Sequence, residues 1–186
     1  GTEPGNPDSL PPVEVVPGAL NTAINNTGGG YIRGIELAYT QTFDFLPGFW
    51  AGLGFSGSYS YTDSNIKQQT DLSGSTVDIT LPGLSDTVYS ATAFYDWENF
   101  STRINVRHRS EFVSEQVAVE TQLAFFDAET VVDYQASYAI NDNLSVLFQV
   151  NNLTDEPTKT YFNQEAQTGT VQFFGRQYFL GMTYGM

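Results

Sequence analysis

The 186-residue sequence contains no cysteine, which excludes a disulfide scaffold, a thiolate zinc site and a cysteine nucleophile. Only 7 Lys and Arg stand against 21 Asp and Glu, and a net charge of −14 argues against a nucleic-acid binder. No apolar run approaches the roughly 20 residues of a transmembrane helix. Residues 1–5 lack the basic and apolar regions of a signal peptide, so none is predicted. Because the chain starts at Gly1, we expect it to be cut from a longer one.

The first 29 residues differ in composition from the rest of the chain. They contain five of the eight prolines and lead into the glycine run Gly28–Gly30. We expect residues 1–29 to form a loop or tail, in which residues 12–20 are the candidate for an extra short strand.

From residue 30 onward, apolar and polar residues alternate with a period of two, which is typical of strands with one apolar face. The clearest case is Phe100–Arg109, where Ile104 and Val106 alternate with Arg103 and Arg107. The pattern predicts an all-β, antiparallel meander of about seven long strands. These strands span residues 33–45, 51–61, 88–95, 100–109, 132–140, 144–151 and 177–186.

Short and long connections alternate between these strands. The predicted short turns are residues 46–49, 96–99 and 141–143. The predicted long loops lie near residues 64–86, 111–129 and 153–171. Strands that are joined tightly at one end and by long loops at the other are typical of a transmembrane β-barrel, which residues 30–186 would form.

The two strand faces favour a membrane barrel over a soluble sandwich. The polar faces carry Gly, Ser, Thr, Asn and Gln, whereas the whole chain has only two lysines, Lys67 and Lys159. The apolar faces carry tyrosines near the strand ends, as in the aromatic girdles of membrane barrels. Seven strands is an odd number, so either residues 12–20 supply an eighth strand or the sheet belongs to a larger barrel.

Three stretches carry a resemblance to a known family. They are Asn26–Leu37, which is similar to an N-x-G-x-x-x-G-x-E pattern, Leu144–Glu156, which holds N-L-x-D, and Gly175–Tyr184, which holds G-R-x-x-x-L-G. Residues 20–186 thereby resemble the C-terminal β-barrel portion of a TonB-dependent outer-membrane receptor. The resemblance implies the last strands of a 22-stranded transmembrane barrel.

The resemblance also implies a function and partners. The chain would belong to a receptor in the outer membrane of a Gram-negative bacterium that takes up a large scarce nutrient, namely a siderophore, cobalamin or an oligosaccharide. TonB would energise uptake through a plug domain that this chain lacks. The barrel assembly machinery would recognise the C-terminal strand through Gly181, Tyr184 and Met186, where an aromatic residue is usual at the last position, and outer-membrane lipid would surround the wall. No enzyme activity, metal or cofactor is expected.

Charged residues on the predicted inner face are the first candidate site. They are Glu36, Arg103, Arg107, Arg109 and Asp133. The arginines could contact an anion or the plug, or they could pair with Glu36, Asp133 or loop carboxylates. Pairing is the favoured interpretation, because enclosed charges are normally paired.

Aromatic residues in the long loops are the second candidate site. They are Phe112, Phe125, Phe126, Tyr161, Phe162, Phe173 and Phe174. Such side chains could line a ligand vestibule or could pack one loop on another, and the sequence favours neither.

Two other functions remain open at this point. One is a complete eight-stranded barrel that acts as a narrow pore, adhesin or structural protein. The other is a barrel hydrolase that uses His108, the only histidine, although its position beside Ile104 and Val106 favours an interfacial side chain. If the chain is a fragment, its open edges could also pair two copies into a dimer.

Overall fold

The computed structural model describes residues 29–69, 76–119 and 122–185. Within these ranges nearly all regular structure is extended, apart from the short 3-10 helix Gly48–Gly52. The strands are β1 (Gly30–Thr42), β2 (Leu53–Gln69), β3 (Thr76–Ile79), β4 (Thr87–Trp97), β5 (Phe100–Arg109), β6 (Phe112–Val119), β7 (Gln122–Phe126), β8 (Glu129–Asn141), β9 (Leu144–Asn151), β10 (Thr158–Phe162), β11 (Gln164–Gln172) and β12 (Gln177–Tyr184).

Seven long strands form one antiparallel sheet, which we call the main sheet. Its strand order is β1-β2-β4-β5-β8-β9-β12, with the short β3 attached to β2. Strands that follow one another in the sequence therefore lie side by side, and the predicted all-β antiparallel meander is confirmed. Hydrogen-bonded turns connect the pairs; in one of them the Asn143 backbone N–H donates to Asn141 Oδ1 at 3.0 Å.

The long connections contain strands that the sequence pattern did not predict. Strand β2 continues to Gln69, beyond the predicted end at Tyr61, because β1 pairs with it as far as Gly30 opposite Ile66. The sequence of this extension is largely polar, so the period-two alternation of apolar residues ends before the strand does. Strand β3 then pairs with the same extension.

A second sheet of four strands, which we call the loop sheet, is built from two of the predicted loops. Its order is β11-β10-β7-β6. Phe126 lies opposite Phe112 on one side and Thr160 on the other, so residues near 112–126 and 158–172 share one sheet. These segments contain Val, Thr and aromatic residues, which favour extended structure.

The apolar side of the main sheet is exposed. Leu180 and Met182 on β12 are 84% and 73% accessible, and Leu37 and Tyr39 on β1 are also exposed. A soluble sandwich would bury such a face under a second sheet. Among the described residues, the buried hydrophobic side chains are Ile79, Val113, Val150 and Tyr161. No helix within residues 29–69, 76–119 and 122–185 is long and apolar enough to cross a membrane.

The main sheet ends in two edges within the described part of the chain. Strand β1 pairs only with β2, and β12 pairs only with β9. Unpaired strand edges are not tolerated in a bilayer, so the described strands by themselves do not form a closed barrel. The candidate eighth strand at residues 12–20 lies outside the described residues.

Candidate functional site

The polar face of the main sheet carries hydrogen bonds from strand to strand. Thr40 on β1 bonds Ser56 on β2 at 2.9 Å, and Ser58 bonds Ser90 on β4 at 2.8 Å. Thr92 on β4 then donates to Asn105 Oδ1 on β5 at 3.0 Å. Short hydroxyl side chains make this face suitable for a hydrated or filled interior rather than for lipid.

Two of the predicted interior arginines lie near carboxylates. Arg107 Nη2 donates to Asp133 Oδ2 at 2.9 Å across the β5–β8 pair. Arg109 Nε lies 3.0 Å from Glu129 Oε1, which is an ion pair by distance, although this Nε makes no hydrogen bond. Arg109 also lies over the Phe112 ring, 4.8 Å from its centroid.

The structure does not bring Glu36 to the arginines. Glu36 lies on β1 opposite Ser60, and the same row continues through Val88 on β4 to Arg109 on β5. Three strand spacings therefore separate Glu36 from Arg109, or about 14 Å. Glu36 is thus too far away for the predicted ion pair.

Arg103 has a neutral partner, unlike Arg107 and Arg109. Its Nε and Nη2 both donate to Gln135 Oε1, at 3.1 and 2.5 Å. Two cavities of about 330 and 190 Å³ lie on the polar face, and Arg103 and Gln135 line both. The larger cavity also includes Asp96 and Ser101, whose hydroxyl donates to the Asp96 carboxylate.

The second and third sequence motifs meet at one junction. Asn152 adopts a positive φ of 54°, and its side chain bonds Glu156 twice, through Oδ1 at 2.8 Å and Nδ2 at 3.0 Å. Its backbone N–H donates to Asp133 Oδ1 at 3.0 Å, and Arg176 Nε donates to the Leu153 carbonyl at 2.8 Å. We did not predict Asn152 and Arg176 as site residues, although their motifs were the available signal.

Four of the seven predicted loop aromatics pack against one another. Phe112 stacks on Phe126 with ring centroids 5.0 Å apart, and Phe125 stacks on Tyr161 at 5.1 Å. Tyr161 is only 8% exposed, and Val113, which lies opposite Phe125 on β6, is 4% exposed. For these four side chains the geometry matches the interpretation that one loop packs on another.

The other three loop aromatics are placed differently. Phe162 pairs with Ala124 across β10 and β7 and is half-buried. Phe173 and Phe174 lie between β11 and β12 and are 71% and 68% exposed. Among the loop aromatics, this adjacent pair offers the most free aromatic surface.

Tyr161 also links the loop sheet to the end of β5. Its hydroxyl donates to Glu111 Oε2 at 2.5 Å. Burial raises the pKa of Tyr161 far above its ordinary value, and the hydrogen bond and negative charge of Glu111 raise it further. Folding therefore favours the protonated phenol.

We expect the Tyr161 phenol to remain protonated at a pH where an ordinary tyrosine, with a pKa of about 10, has ionised. The contribution of the protonated Tyr161 phenol to the free energy of unfolding is complete below that pH. It declines as the pH rises through the higher pKa of the folded protein. NMR of ¹³C-labelled tyrosine would follow the resonance that is missing in Tyr161→Phe. A midpoint near that of the unfolded chain would contradict the expectation, and Glu111→Gln should lower the midpoint.

Comparison with known proteins identifies the fold and the family. A family model described as "TonB dependent receptor-like, beta-barrel" matches residues 2–153 of the chain. The chain belongs to the TonB-dependent receptor family. The match includes the first motif and ends just after the start of the second, so the G-R-x-x-x-L-G stretch lies beyond it.

A solved receptor has the same fold. The crystal structure of the siderophore receptor PiuA from Acinetobacter baumannii matches with a TM-score of 0.60 and 17% sequence identity. The match covers 83% of this chain and 22% of PiuA, so the chain spans less than a quarter of that receptor. No curated protein sequence matches the chain.

TonB-dependent receptors are barrels of the Gram-negative outer membrane, and the family consists of receptors and transporters rather than enzymes. Within the described residues, no group of three or more His, Asp and Glu side chains could hold a metal ion.

His108 lies on the apolar side of the receptor strand β5. Its ring stacks on Tyr89 with centroids 4.6 Å apart, and Nδ1 lies 2.8 Å from Thr130 Oγ1. The hydrolase that the sequence left open would pair this histidine with a serine, whereas the described contact of Nδ1 is with a threonine. The position matches an interfacial side chain.

Two of the three residues predicted to be recognised by the barrel assembly machinery lie on the C-terminal strand β12. Gly181 pairs with Leu147, and Tyr184 is exposed opposite Leu144. Met186 lies outside the described residues.

Proposed function

We propose that the chain forms the C-terminal wall of a TonB-dependent receptor that imports a large scarce nutrient across the outer membrane. The observation that carries the proposal is a meander of seven strands, with one exposed apolar face and one hydrogen-bonded polar face, in a chain that the receptor family model matches. Lipid would cover the apolar face, and the polar face would line the interior.

The rest of the receptor would supply energy coupling. The chain covers 22% of the PiuA chain, and the plug domain and TonB would contact the receptor through its other parts. Gly181, Tyr184 and Met186 would present the C-terminal strand to the barrel assembly machinery. In an isolated fragment, the edges β1 and β12 would be free to pair two copies into a dimer.

The long connections would face the ligand. Phe173 and Phe174 are the most accessible loop aromatics and would stack on a ring or sugar of the nutrient. PiuA is a siderophore receptor, so a ferric siderophore is the first ligand to test. Cobalamin and an oligosaccharide are the other two classes.

The first experiment is an immunoblot of the outer membrane of the source cell with antibody against this chain. The proposal expects a band several times heavier than 20.5 kDa, from a receptor that also contains a plug. A band at the size of the chain itself would overturn the receptor and favour a complete small barrel.

Uptake assays then test the ligand. Cells with and without TonB receive ferric hydroxamate siderophore labelled with ⁵⁵Fe, labelled cobalamin or a labelled maltooligosaccharide, and one of them should enter only with TonB. Replacing both Phe173 and Phe174 by serine should weaken binding about tenfold, which corresponds to about 1.4 kcal/mol. Phe49→Ser is the matched control, because Phe49 is an exposed aromatic residue of the 3-10 helix at the opposite end of the strands. Equal loss in both variants would contradict a ligand role for Phe173 and Phe174.

A further inference from the structure

Arg103 has no ion-pair partner in the part of the chain that the structure describes. The ion pairs there are Arg33–Asp63, Arg107–Asp133, Arg109–Glu129 and Lys159–Asp127. Arg103 binds only the neutral amide of Gln135. Its positive charge is therefore not compensated by a described carboxylate, unlike that of Arg107 on the same strand and face.

The Arg103 guanidinium retains capacity for another partner. Two of its N–H groups converge on Gln135 Oε1, which leaves three of its five donors for other acceptors. Both polar-face cavities, of about 330 and 190 Å³, are open to it. A carboxylate entering either cavity could therefore accept hydrogen bonds from Arg103 and neutralise its charge.

The larger cavity suits a polypeptide better than a small anion. It holds Asp96 as well as Arg103, so its lining carries both signs of charge. A small anion would gain from Arg103 and be repelled by Asp96, whereas a polypeptide can present an acidic side chain to one and a donor to the other. The two cavities are adjacent, so each could receive a different side chain of the same docked polypeptide.

The site lies nearer to the short turns than to the long loops of the strands. Arg103 is three residues from the start of β5 at Phe100, or about 10 Å, and six residues from Arg109 at the loop end, or about 20 Å. In outer-membrane barrels the short turns are periplasmic. The unpaired charge thus lies away from the loop aromatics and toward the periplasmic end of the interior.

We propose that Arg103 binds a carboxylate of the plug domain and fixes the plug near the periplasmic end of the barrel wall. This inference rests on the proposed receptor function. Gln135 orients the guanidinium, and Asp96 accepts a hydrogen bond from a neighbouring plug donor. Arg107, which already pairs with Asp133, has no such role.

The test uses the full receptor reconstituted in planar bilayers, with ion conductance measured as urea is raised to loosen the plug. Arg103→Gln and Arg103→Glu should show at least tenfold more open-channel time than the native receptor at an intermediate urea concentration. Arg103→Lys should stay within about threefold of the native receptor, because it keeps the charge. Arg107→Gln is the matched control and should behave like the native protein.

A charge-swap screen completes the test. Changing plug Asp and Glu residues one at a time to Arg in the Arg103→Glu receptor should identify a variant that restores the closed state.

Heat-modifiable migration first confirms that each barrel is folded, and Arg103→Gln carries the test if Arg103→Glu does not fold. Native conductance in a folded Arg103→Gln receptor, or equal leakage in Arg107→Gln, overturns the inference. Lost nutrient binding without leakage would instead assign Arg103 to an imported anion and also overturn it. A receptor without a plug would be a failure of the proposed function, which the immunoblot detects separately.

Discussion

Replacing Ile104 by arginine should lower the free energy of unfolding of the receptor barrel by about 2–4 kcal/mol. Ile104 is exposed in the middle of β5 and belongs to a row of side chains that crosses all seven long strands on the apolar face. The row consists of Gln41, Phe55, Ala93, Ile104, Tyr134, Val150 and Tyr178. A charge placed there would face hydrocarbon, where it has no solvation. Guanidinium unfolding of the receptor in phospholipid vesicles measures the change.

Asn105→Arg is the matched control for this prediction. Asn105 follows Ile104 on the same strand at nearly the same depth, but it lies on the polar face opposite Asp133. We expect a cost below about 1 kcal/mol, because the new charge lies opposite a carboxylate and only the Thr92 hydrogen bond is lost. Equal costs in the two variants would show that both faces meet the same environment, and the membrane assignment would be wrong.

The long strands could be predicted because the bilayer and the interior impose different requirements on alternate residues. In β5 the alternation of Ile104 and Val106 with Arg103 and Arg107 covers the strand almost from end to end, and predicted and observed bounds agree. In β2 the alternation stops near Tyr61, while backbone pairing continues with β1 to Ile66 and with β3 to Gln69. Pairing with β1 and β3 needs only backbone N–H and C=O groups, so side chains do not mark the true end of the strand.

The loop sheet was not predicted because its strands are short and its partners are distant in sequence. Val113, Val117 and Val119 alternate along β6, and this signal was present. The pairing of β7 with β10, however, joins Phe125 to Tyr161 across a segment that contains both β8 and β9. A local pattern cannot specify which loop meets which, so aromatic packing and a ligand vestibule remained equal interpretations.

The residues of the candidate site could be predicted from the sequence, but the ion pairs between them could not. The sequence placed Arg103, Arg107 and Arg109 on one strand face, which strand periodicity determines. Partner choice depends on strand order and register: Asp133 on the adjacent β8 reaches Arg107, whereas Glu36 on β1 lies three strands away. Asn152 was visible only as part of a motif, because its role depends on contacts with residues from other segments.

Replacing Asn152 by alanine should lower the free energy of unfolding by about 2–4 kcal/mol. The side chain makes two hydrogen bonds with Glu156, each worth about 0.5–1.5 kcal/mol, and a longer one with the Gly175 carbonyl at 3.5 Å. The backbone has a φ of 54°, which asparagine tolerates better than alanine, whose cost there is about 1–2 kcal/mol relative to glycine. Because Arg176 bonds Leu153 at the same junction, the base of the long connection between β9 and β12 should loosen as well.

Asn152→Gly separates the two contributions, since glycine adopts this φ without strain but makes no side-chain hydrogen bonds. It should be destabilised less than Asn152→Ala by about 1–2 kcal/mol, which is the backbone term. Guanidinium unfolding of both variants in phospholipid vesicles measures the difference, and protease cleavage between residues 156 and 174 reports the loosened connection. Identical stabilities for the two variants would exclude the backbone term. Native stability in both would show that the contacts of Asn152 do not hold the two motifs together.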